Sequence, residues 1–280
     1  MELNELGPGV EIWGIDISTG LAQEELDGVK EAFFEHGLIF IRDQNISEQD
    51  HIAFAEHFGE INVNRFFQAH PEYPQVALVT KEPDQVNNIG GEWHTDHSYD
   101  QIPAMGSILV ARELPPTGGD TEFASTRAVY EALDPATQAR LDGCVVEHDF
   151  AWSRARSGFV FNDAQRAENP PARHPLVQTN PVTGRKSLMI GAHAKCIVGW
   201  NADESQTMLD DLLDRATAPN EIYVHKWQTG DTIVWDNRAT LHRATPFDVT
   251  KHRRLMQRTT ISNPTAIDEY AGYPEISQAG

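Results

Sequence analysis

The stretch EIYVHKWQTGDTIVWDN, residues 221–237, decides the fold class of this chain. Two short runs rich in β-branched and aromatic residues flank the turn sequence Thr229-Gly230-Asp231, a pattern typical of paired strands. Further strand patterns occur at residues 10–17, 38–43, 76–80, 106–114 and 254–262. Helical spacing of apolar residues occurs at 20–36, 47–57, 126–133 and 203–216. Many short strands with flanking helices predict a mainly β sandwich or barrel rather than a doubly wound α/β fold.

The composition limits the class of partner. The chain has 280 residues, and 22 Lys and Arg against 42 Asp and Glu give a net charge of −20. This charge opposes binding to nucleic acid and to anionic membrane surfaces, so we predict neither partner. An anionic small molecule must therefore be captured by a local group of Arg or Lys side chains. No repeat or Ser/Gly-rich linker interrupts the sequence, which predicts a single domain over residues 1–280.

The cellular compartment is predicted from cysteine usage and from the N-terminus. Cys144 and Cys196 form no C-x-x-C motif and no disulfide framework, which fits a reducing compartment. The first residues have no basic start followed by an apolar core, so no signal peptide is predicted. No run reaches the roughly 18 apolar residues of a membrane helix. We therefore expect a cytoplasmic protein.

A candidate metal site lies in the segment GEWHTDHSYD, residues 91–100. If this segment is an extended strand, His94 and Asp96 point to one face and can bind the same ion. The H-x-D pair alone is weak evidence. His242 is the best candidate for a third ligand because it follows the strand pattern TIVWD and a turn. Two histidines and one carboxylate with open positions are typical of non-haem Fe(II) oxygenases.

Two arginines follow the third candidate ligand. Arg254 and Arg258 are four residues apart in a predicted strand, so they share a face and lie roughly 13 Å apart. Their planar guanidinium groups suit carboxylate or sulfonate ligands. The spacing alone equally allows solvent-facing charge, so it leaves both interpretations open.

Four blocks of sequence together resemble the taurine/α-ketoglutarate dioxygenase family. They are WHTDHSY (93–99), LPPTGGDTEFAS (114–125), WDNRATLHRA (235–244) and RRLMQRTTI (253–261). The blocks keep the family's order and spacing, and the resemblance extends over about residues 3–263. Four ordered blocks are a far stronger signal than the H-x-D pair.

The resemblance implies a fold, a metal and a cosubstrate. The implied fold is a double-stranded β-helix, or jelly roll, whose funnel holds the metal. The implied Fe(II) ligands are His94, Asp96 and His242. Thr121 and Arg254 would hold the distal carboxylate of 2-oxoglutarate.

The resemblance also implies a reaction. With O2, 2-oxoglutarate would be converted to succinate and CO2 while a small organic anion, a carboxylate, sulfonate or sulfate ester, is hydroxylated. Arg258 would bind the anionic group of this prime substrate. The family resemblance further implies a homo-oligomer.

Departures from the family pattern concern the substrate pocket. The family's sulfonate-binding histidine falls at Asn64, the aromatic residue three positions later is Phe67, and Gly90 replaces an asparagine. Gly90 belongs to a stretch, residues 81–91, that is predicted to be a loop. These departures argue against taurine as the substrate. The candidate pocket residues are Asn64, Phe67, Tyr99 and His193.

Other functions remain as alternatives. A metal-dependent hydrolase or isomerase on a jelly-roll scaffold could use the same three ligands, but it has no need of Thr121 and Arg254 beside the metal. A ligand-binding jelly roll without catalysis would leave the ligand triad unexplained. A halogenase is disfavoured because that chemistry vacates the carboxylate position, and Asp96 is present.

Overall fold

The computed structural model describes residues 1–83 and 90–263, and residues 84–89 of the predicted loop lie outside them. The seven α-helices of the described chain are α1 (Gln23–His36), α2 (Glu48–Glu56), α3 (Thr126–Ala132), α4 (Pro135–Leu141), α5 (Phe150–Arg156), α6 (Asp163–Glu168) and α7 (Ala202–Ala216). Its strands are β1 (Glu2–Leu6), β2 (Gly9–Trp13), β3 (Leu38–Ile41), β4 (Ile61–Asn62), β5 (Gln68–Ala69), β6 (Ala77–Lys81), β7 (Gly106–Glu113), β8 (Thr121–Ser125), β9 (Val145–His148), β10 (Ala172–Pro175), β11 (Val177–Thr179), β12 (Lys186–Leu188), β13 (Ala194–Ile197), β14 (Ile222–His225), β15 (Thr232–Asp236), β16 (Thr240–Ala244) and β17 (Arg254–Ile261).

Two sheets form the jelly roll. The larger has nine strands in the order β1-β2-β3-β15-β7-β17-β6-β5, with β4 paired to β17, and the smaller has the order β14-β8-β16. Aromatic rings pack between them: Phe40 stacks on Tyr223 at 5.1 Å between ring centroids, and Phe123 lies 5.8 Å from Trp235. The prediction of a mainly β protein with flanking helices and a jelly-roll core is confirmed.

The opposite face of the larger sheet is covered by helices α1 and α2. Phe33 on α1 and Phe54 on α2 belong to the same apolar cluster as Ile108 and Val234 on the central strands. The predicted strand at residues 10–17 is partly wrong, because β2 ends at Trp13 and a short 3-10 helix, Ile17–Thr19, follows. Within the described residues, no helix is both long enough and apolar enough to cross a membrane.

Three histidines are buried in this framework away from the metal-ligand candidates. His51, His148 and His174 are at most 1% exposed. Burial lowers the pKa of His51 and His148 to about 3 and that of His174 to about 4. The positive charge of Arg112 also contributes to lowering the pKa of His51. All three are therefore neutral in the folded protein at neutral pH.

These histidines should make the fold sensitive to acid. In the unfolded chain they bind protons below about pH 6.5, so their contribution to stability is complete above that pH and is lost as the pH falls toward 3 to 4. The free energy of unfolding of the wild type should fall between pH 7 and pH 5. In His148→Phe, which lacks one of these histidines, we expect this fall to be smaller by about 2 kcal/mol. Urea unfolding at both pH values measures this, with the exposed His57→Gln as control. An identical loss in wild type and His148→Phe would contradict the expectation.

Candidate active site

His94 and His242 are brought side by side by a single pair of backbone hydrogen bonds. The His94 N–H donates to the His242 carbonyl at 3.1 Å, and the His242 N–H donates to the His94 carbonyl at 2.8 Å. This isolated antiparallel bridge places the two imidazole centroids 4.3 Å apart. Two histidines 148 positions apart in sequence thereby reach one site.

The turn before His242 is fixed by its own polar side chains. Asp236 at the end of β15 accepts two hydrogen bonds of 2.9 Å from the Arg238 guanidinium, a planar bidentate pair. The Thr95 hydroxyl donates to the Asn237 carbonyl, which ties the H-x-D segment to the same turn. Both ligand segments are therefore held against one another independently of any bound ion.

Asp96 is a buried carboxylate with strong partners. Its oxygens accept hydrogen bonds from Arg258 Nη1 at 3.1 and 3.2 Å, and Ser107 Oγ donates to Oδ2 at 3.0 Å. Burial by itself raises the pKa of Asp96, but Arg258 and the neighbouring His242 together hold it well below its usual range. Asp96 is therefore an anion at any working pH.

The three side chains form a cluster that suits a divalent metal ion. One ligand atom from each of His94, Asp96 and His242 lies within 4.8 Å of the others. Both histidine Nε2 atoms are 3.8 Å from an Asp96 oxygen, too far for a hydrogen bond but close enough to share one ion. His94 Nδ1 lies 2.8 Å from the Glu92 carbonyl, which leaves its Nε2 for the ion.

The charge state of the imidazoles also fits a metal. Burial lowers the pKa of His94, and burial together with the nearby His94 lowers that of His242 to about 3. Neutral imidazole is the form that binds metal. His242 Nδ1 is buried without a hydrogen-bond partner among the described residues.

The local geometry of the H-x-D segment differs from the sequence prediction. We predicted an extended strand, but the bridge at His94 involves that residue alone, and Asp96 begins a turn. Asp96 reaches the metal-binding side because the turn bends the chain, not because of strand alternation. The following His97 has a φ of 58° and is not part of the cluster of His94, Asp96 and His242.

A cavity of about 390 Å³ opens beside this cluster. It is lined by every side chain that the sequence analysis selected: His94, Asp96, His242, Thr121, Arg254, Arg258, Asn64, Phe67, Tyr99 and His193. The sequence analysis missed further lining side chains, which include Lys81, Arg154, Phe66, Phe150, Phe159 and Phe161. The four additional Phe side chains belong to no recognisable sequence motif, and they come together only in the folded chain.

One end of the cavity holds a buried cation beside a hydroxyl group. The Arg254 guanidinium is buried next to Trp227, and within the described residues it forms no ion pair. Burial lowers the pKa of Arg254 to about 10, and Asp120 opposes this only in part. Trp227 Nε1 donates to Thr121 Oγ1 at 2.9 Å, so the Thr121 hydroxyl proton remains available to a ligand. This end can bind a carboxylate.

Arg258 lines the cavity, where the resemblance implied that it would meet the anionic group of the substrate. In the structure its guanidinium also pairs with Asp96 inside the site. Its guanidinium carbon also lies 5.1 Å from the centre of the Phe67 ring, and its Nη2 lies 3.5 Å from His97 Nε2. Arg258 therefore holds the Asp96 carboxylate in place whatever else it binds.

The other pocket candidates also line the cavity. Asn64 Nδ2 lies 3.2 Å from His97 Nε2, and Asn64 Oδ1 accepts the backbone N–H of Phe67 at 3.1 Å. The Tyr99 ring lies 4.8 Å from the His193 ring, and burial raises the pKa of Tyr99 while it lowers that of His193. Both side chains are therefore neutral at working pH.

Comparisons with known proteins identify the family of this chain. Residues 2–260 match the family described as taurine catabolism dioxygenase TauD, TfdA. The chain is 37% identical over 272 residues to the alpha-ketoglutarate-dependent 2,4-dichlorophenoxyacetate dioxygenase of Cupriavidus pinatubonensis, with 91% of this chain and 94% of that protein covered. It is 33% identical over 282 residues to the (S)-phenoxypropionate/alpha-ketoglutarate-dioxygenase of Sphingobium herbicidovorans, with 93% and 98% covered.

A solved structure extends the similarity to three dimensions. AAD-2 in complex with Mn(II) and N-oxalylglycine superposes with a TM-score of 0.85 at 32% identity, covering 94% of this chain and 98% of that one. The predicted enzyme class, a dioxygenase that uses Fe(II), 2-oxoglutarate and O2, is confirmed. The chain belongs to the taurine catabolism dioxygenase TauD, TfdA family.

Proposed function

We propose that this dioxygenase holds Fe(II) on His94, Asp96 and His242 and hydroxylates a small organic anion. The observation that carries the proposal is the arrangement of the cavity. Three ligand atoms converge within 4.8 Å on one wall, and a buried guanidinium, that of Arg254, faces the same space. Both features are what an Fe(II)- and 2-oxoglutarate-dependent oxidation requires of a protein.

When bound, Fe(II), 2-oxoglutarate and O2 supply the oxidising chemistry, and the protein binds and orients. Arg254 and the Thr121 hydroxyl bind the distal carboxylate of 2-oxoglutarate, because both are buried donors with capacity left for a ligand. A metal-dependent hydrolase or isomerase has no use for this second carboxylate site beside the metal, which argues against that alternative. Arg258 keeps Asp96 ionised and in place.

The substrate class follows from the rest of the cavity wall. Eight aromatic side chains line the cavity, and Trp235 and Phe247 are two of them. We call the other six the aromatic wall, namely Phe66, Phe67, Tyr99, Phe150, Phe159 and Phe161. Such a wall favours an aryl group through apolar burial and ring contacts. The relatives that act on 2,4-dichlorophenoxyacetate and (S)-phenoxypropionate support an aryloxyalkanoate as the prime substrate. We further propose that Arg258 contributes to binding the substrate's carboxylate.

A substrate screen tests this function. We expect 2,4-dichlorophenoxyacetate to stimulate succinate formation from 2-oxoglutarate in the Fe(II)-loaded protein, and its neutral amide to stimulate it at least tenfold less. The reason is that a charge-assisted hydrogen bond is worth about 1.5–3 kcal/mol. Stimulation by taurine but not by any aryloxyalkanoate would contradict the proposed substrate class.

Three further properties stay proposals. We propose that the chain acts as a single domain in the cytoplasm and forms a homo-oligomer. The strand β1 supports the last of these, because it lies at the edge of the nine-stranded sheet. Leu3 on that strand is 49% exposed, so it offers a second copy an apolar side chain to cover.

A further inference from the structure

Four cationic side chains line the active-site cavity. Three of them lie either at the proposed 2-oxoglutarate end or beside Asp96. Arg254 and Lys81 are register partners on β17 and β6, at the proposed 2-oxoglutarate end. Arg258 is paired with Asp96. The fourth is Arg154, which comes from the helix α5 and from no part of the jelly-roll sheets.

The helix α5 is fixed against the cavity wall, so Arg154 has a defined position. The Asp149 side chain accepts the Trp152 N–H at 2.9 Å and caps the helix. Ser153, the neighbour of Arg154, lies with its Oγ 2.8 Å from Nδ1 of His193, a cavity residue. The Arg154 guanidinium carbon sits 5.0 Å from the centre of the Phe150 ring, which is part of the aromatic wall.

Arg154 is half-buried and has no carboxylate partner among the described residues. A smaller neighbouring cavity of about 130 Å³ is also lined by Arg154, His94 and His193. Arg154 therefore lies between the two cavities. It is next to Phe150 of the aromatic wall, and it lines the smaller cavity together with His94.

We propose that Arg154 binds the anionic group of the prime substrate while the aromatic wall holds its aryl group. The inference rests on the proposed function, and it names Arg154 as the residue that makes the enzyme prefer an anionic substrate. Arg258 keeps an unpartnered Nε, but its charge is already offset by Asp96, whereas Arg154 has no carboxylate partner among the described residues. In a protein with a net charge of −20, an anion is retained only where a local cation meets it.

Arg156 on the same helix α5 provides a matched control for substitution of Arg154. Arg156 lies two residues further on α5, is exposed, and has its guanidinium carbon 4.9 Å from the centre of the Trp152 ring. It lines neither cavity. Arg154→Ala and Arg156→Ala therefore remove the same charge from the same helix, and only the first removes it from the site.

The test uses the Fe(II)-loaded protein with 2,4-dichlorophenoxyacetate as the probe. We expect Arg154→Ala to raise KM for this acid at least tenfold, with a smaller change in kcat, and to leave the dissociation constant of 2-oxoglutarate unchanged. The preference for the acid over its neutral amide should shrink by the same factor. Arg154→Lys should recover part of the loss, because it keeps the charge but not the planar fork. Arg156→Ala should behave as the wild type.

Three results would overturn the inference, and only the third is also a failure of the proposed function. If the wild type prefers the acid and Arg154→Ala keeps the same KM and the same preference, Arg154 does not bind the anion. If Arg154→Ala and Arg156→Ala lose affinity equally, the effect is one of overall charge. If the wild type neither binds nor oxidises any aryloxyalkanoate, the proposed substrate class and this inference both fall.

Discussion

Asp96→Ala is expected to abolish 2-oxoglutarate-dependent succinate formation and Fe(II) binding together. Asp96 is the one anionic member of the cluster with His94 and His242, and both of its oxygens face the two imidazole Nε2 atoms. Outer-shell partners of a metal typically account for a 10- to 100-fold effect, so loss of a direct ligand should exceed about a hundredfold. Anaerobic Fe(II) titration and succinate assay measure the two effects separately.

The same substitution should also destabilise the metal-free protein. Asp96 is the ion-pair partner of the buried Arg258, and breaking a buried pair by removing one member costs about 3–5 kcal/mol. His242→Ala removes a ligand without leaving a charge unpaired, so it should lose activity at a smaller cost in stability.

A double variant separates the two roles of Asp96. Asp96→Ala combined with Arg258→Met removes both charges of the pair, so it should regain much of the free energy of unfolding. It should not regain Fe(II) binding or succinate formation. Restored turnover in the double variant, or wild-type turnover in Asp96→Ala, would remove Asp96 from the metal site.

Elements with local signals were predictable from the sequence. The helix α2 begins where it was expected, because the Asp50 N–H donates to Ser47 Oγ at 3.2 Å and the Ser47 N–H donates to Asp50 Oδ2 at 2.8 Å. The strand β7 was predicted at residues 106–114 and ends one residue earlier. The helix α4 was missed although Asp134 caps it and Pro135 is its first residue, both ordinary start signals.

The parts of the site that depend on distant contacts were not predictable in the same way. The four family blocks brought out the ligand triad, yet nothing local indicated that Arg258 pairs with an acid 162 positions earlier. Strand spacing placed Arg254 and Arg258 on one face, and both line the cavity, but it could not identify their partners. The aromatic wall at Phe150 and Phe161 comes from a segment whose position depends on its packing against His193 and Tyr99.

Arg254→Met is expected to weaken 2-oxoglutarate binding by about ten- to a hundredfold. The variant removes a buried, charge-assisted contact to the distal carboxylate, worth about 1.5–3 kcal/mol, and keeps most of the side chain's apolar volume. Anaerobic calorimetric titration of 2-oxoglutarate into the Fe(II) protein measures the change. Arg253→Gln is the control, because that neighbouring residue pairs with Glu82 and Glu113 outside the cavity.

Arg254→Met should weaken 2-oxoglutarate binding without lowering the stability of the ligand-free protein. This result would distinguish a binding role of Arg254 from a structural one. Burial lowers the pKa of Arg254, which means that the folded protein pays to keep this guanidinium charged, while the described residues offer it no ion pair. Without 2-oxoglutarate, Arg254→Met should therefore unfold at the same or a higher urea concentration than the wild type. If the buried Arg254 guanidinium lowers the stability of the free protein, its function is to bind 2-oxoglutarate and not to stabilise the fold. If the variant instead lost stability and kept its affinity for 2-oxoglutarate, Arg254 would be a structural cation and the cosubstrate carboxylate would lie elsewhere in the cavity.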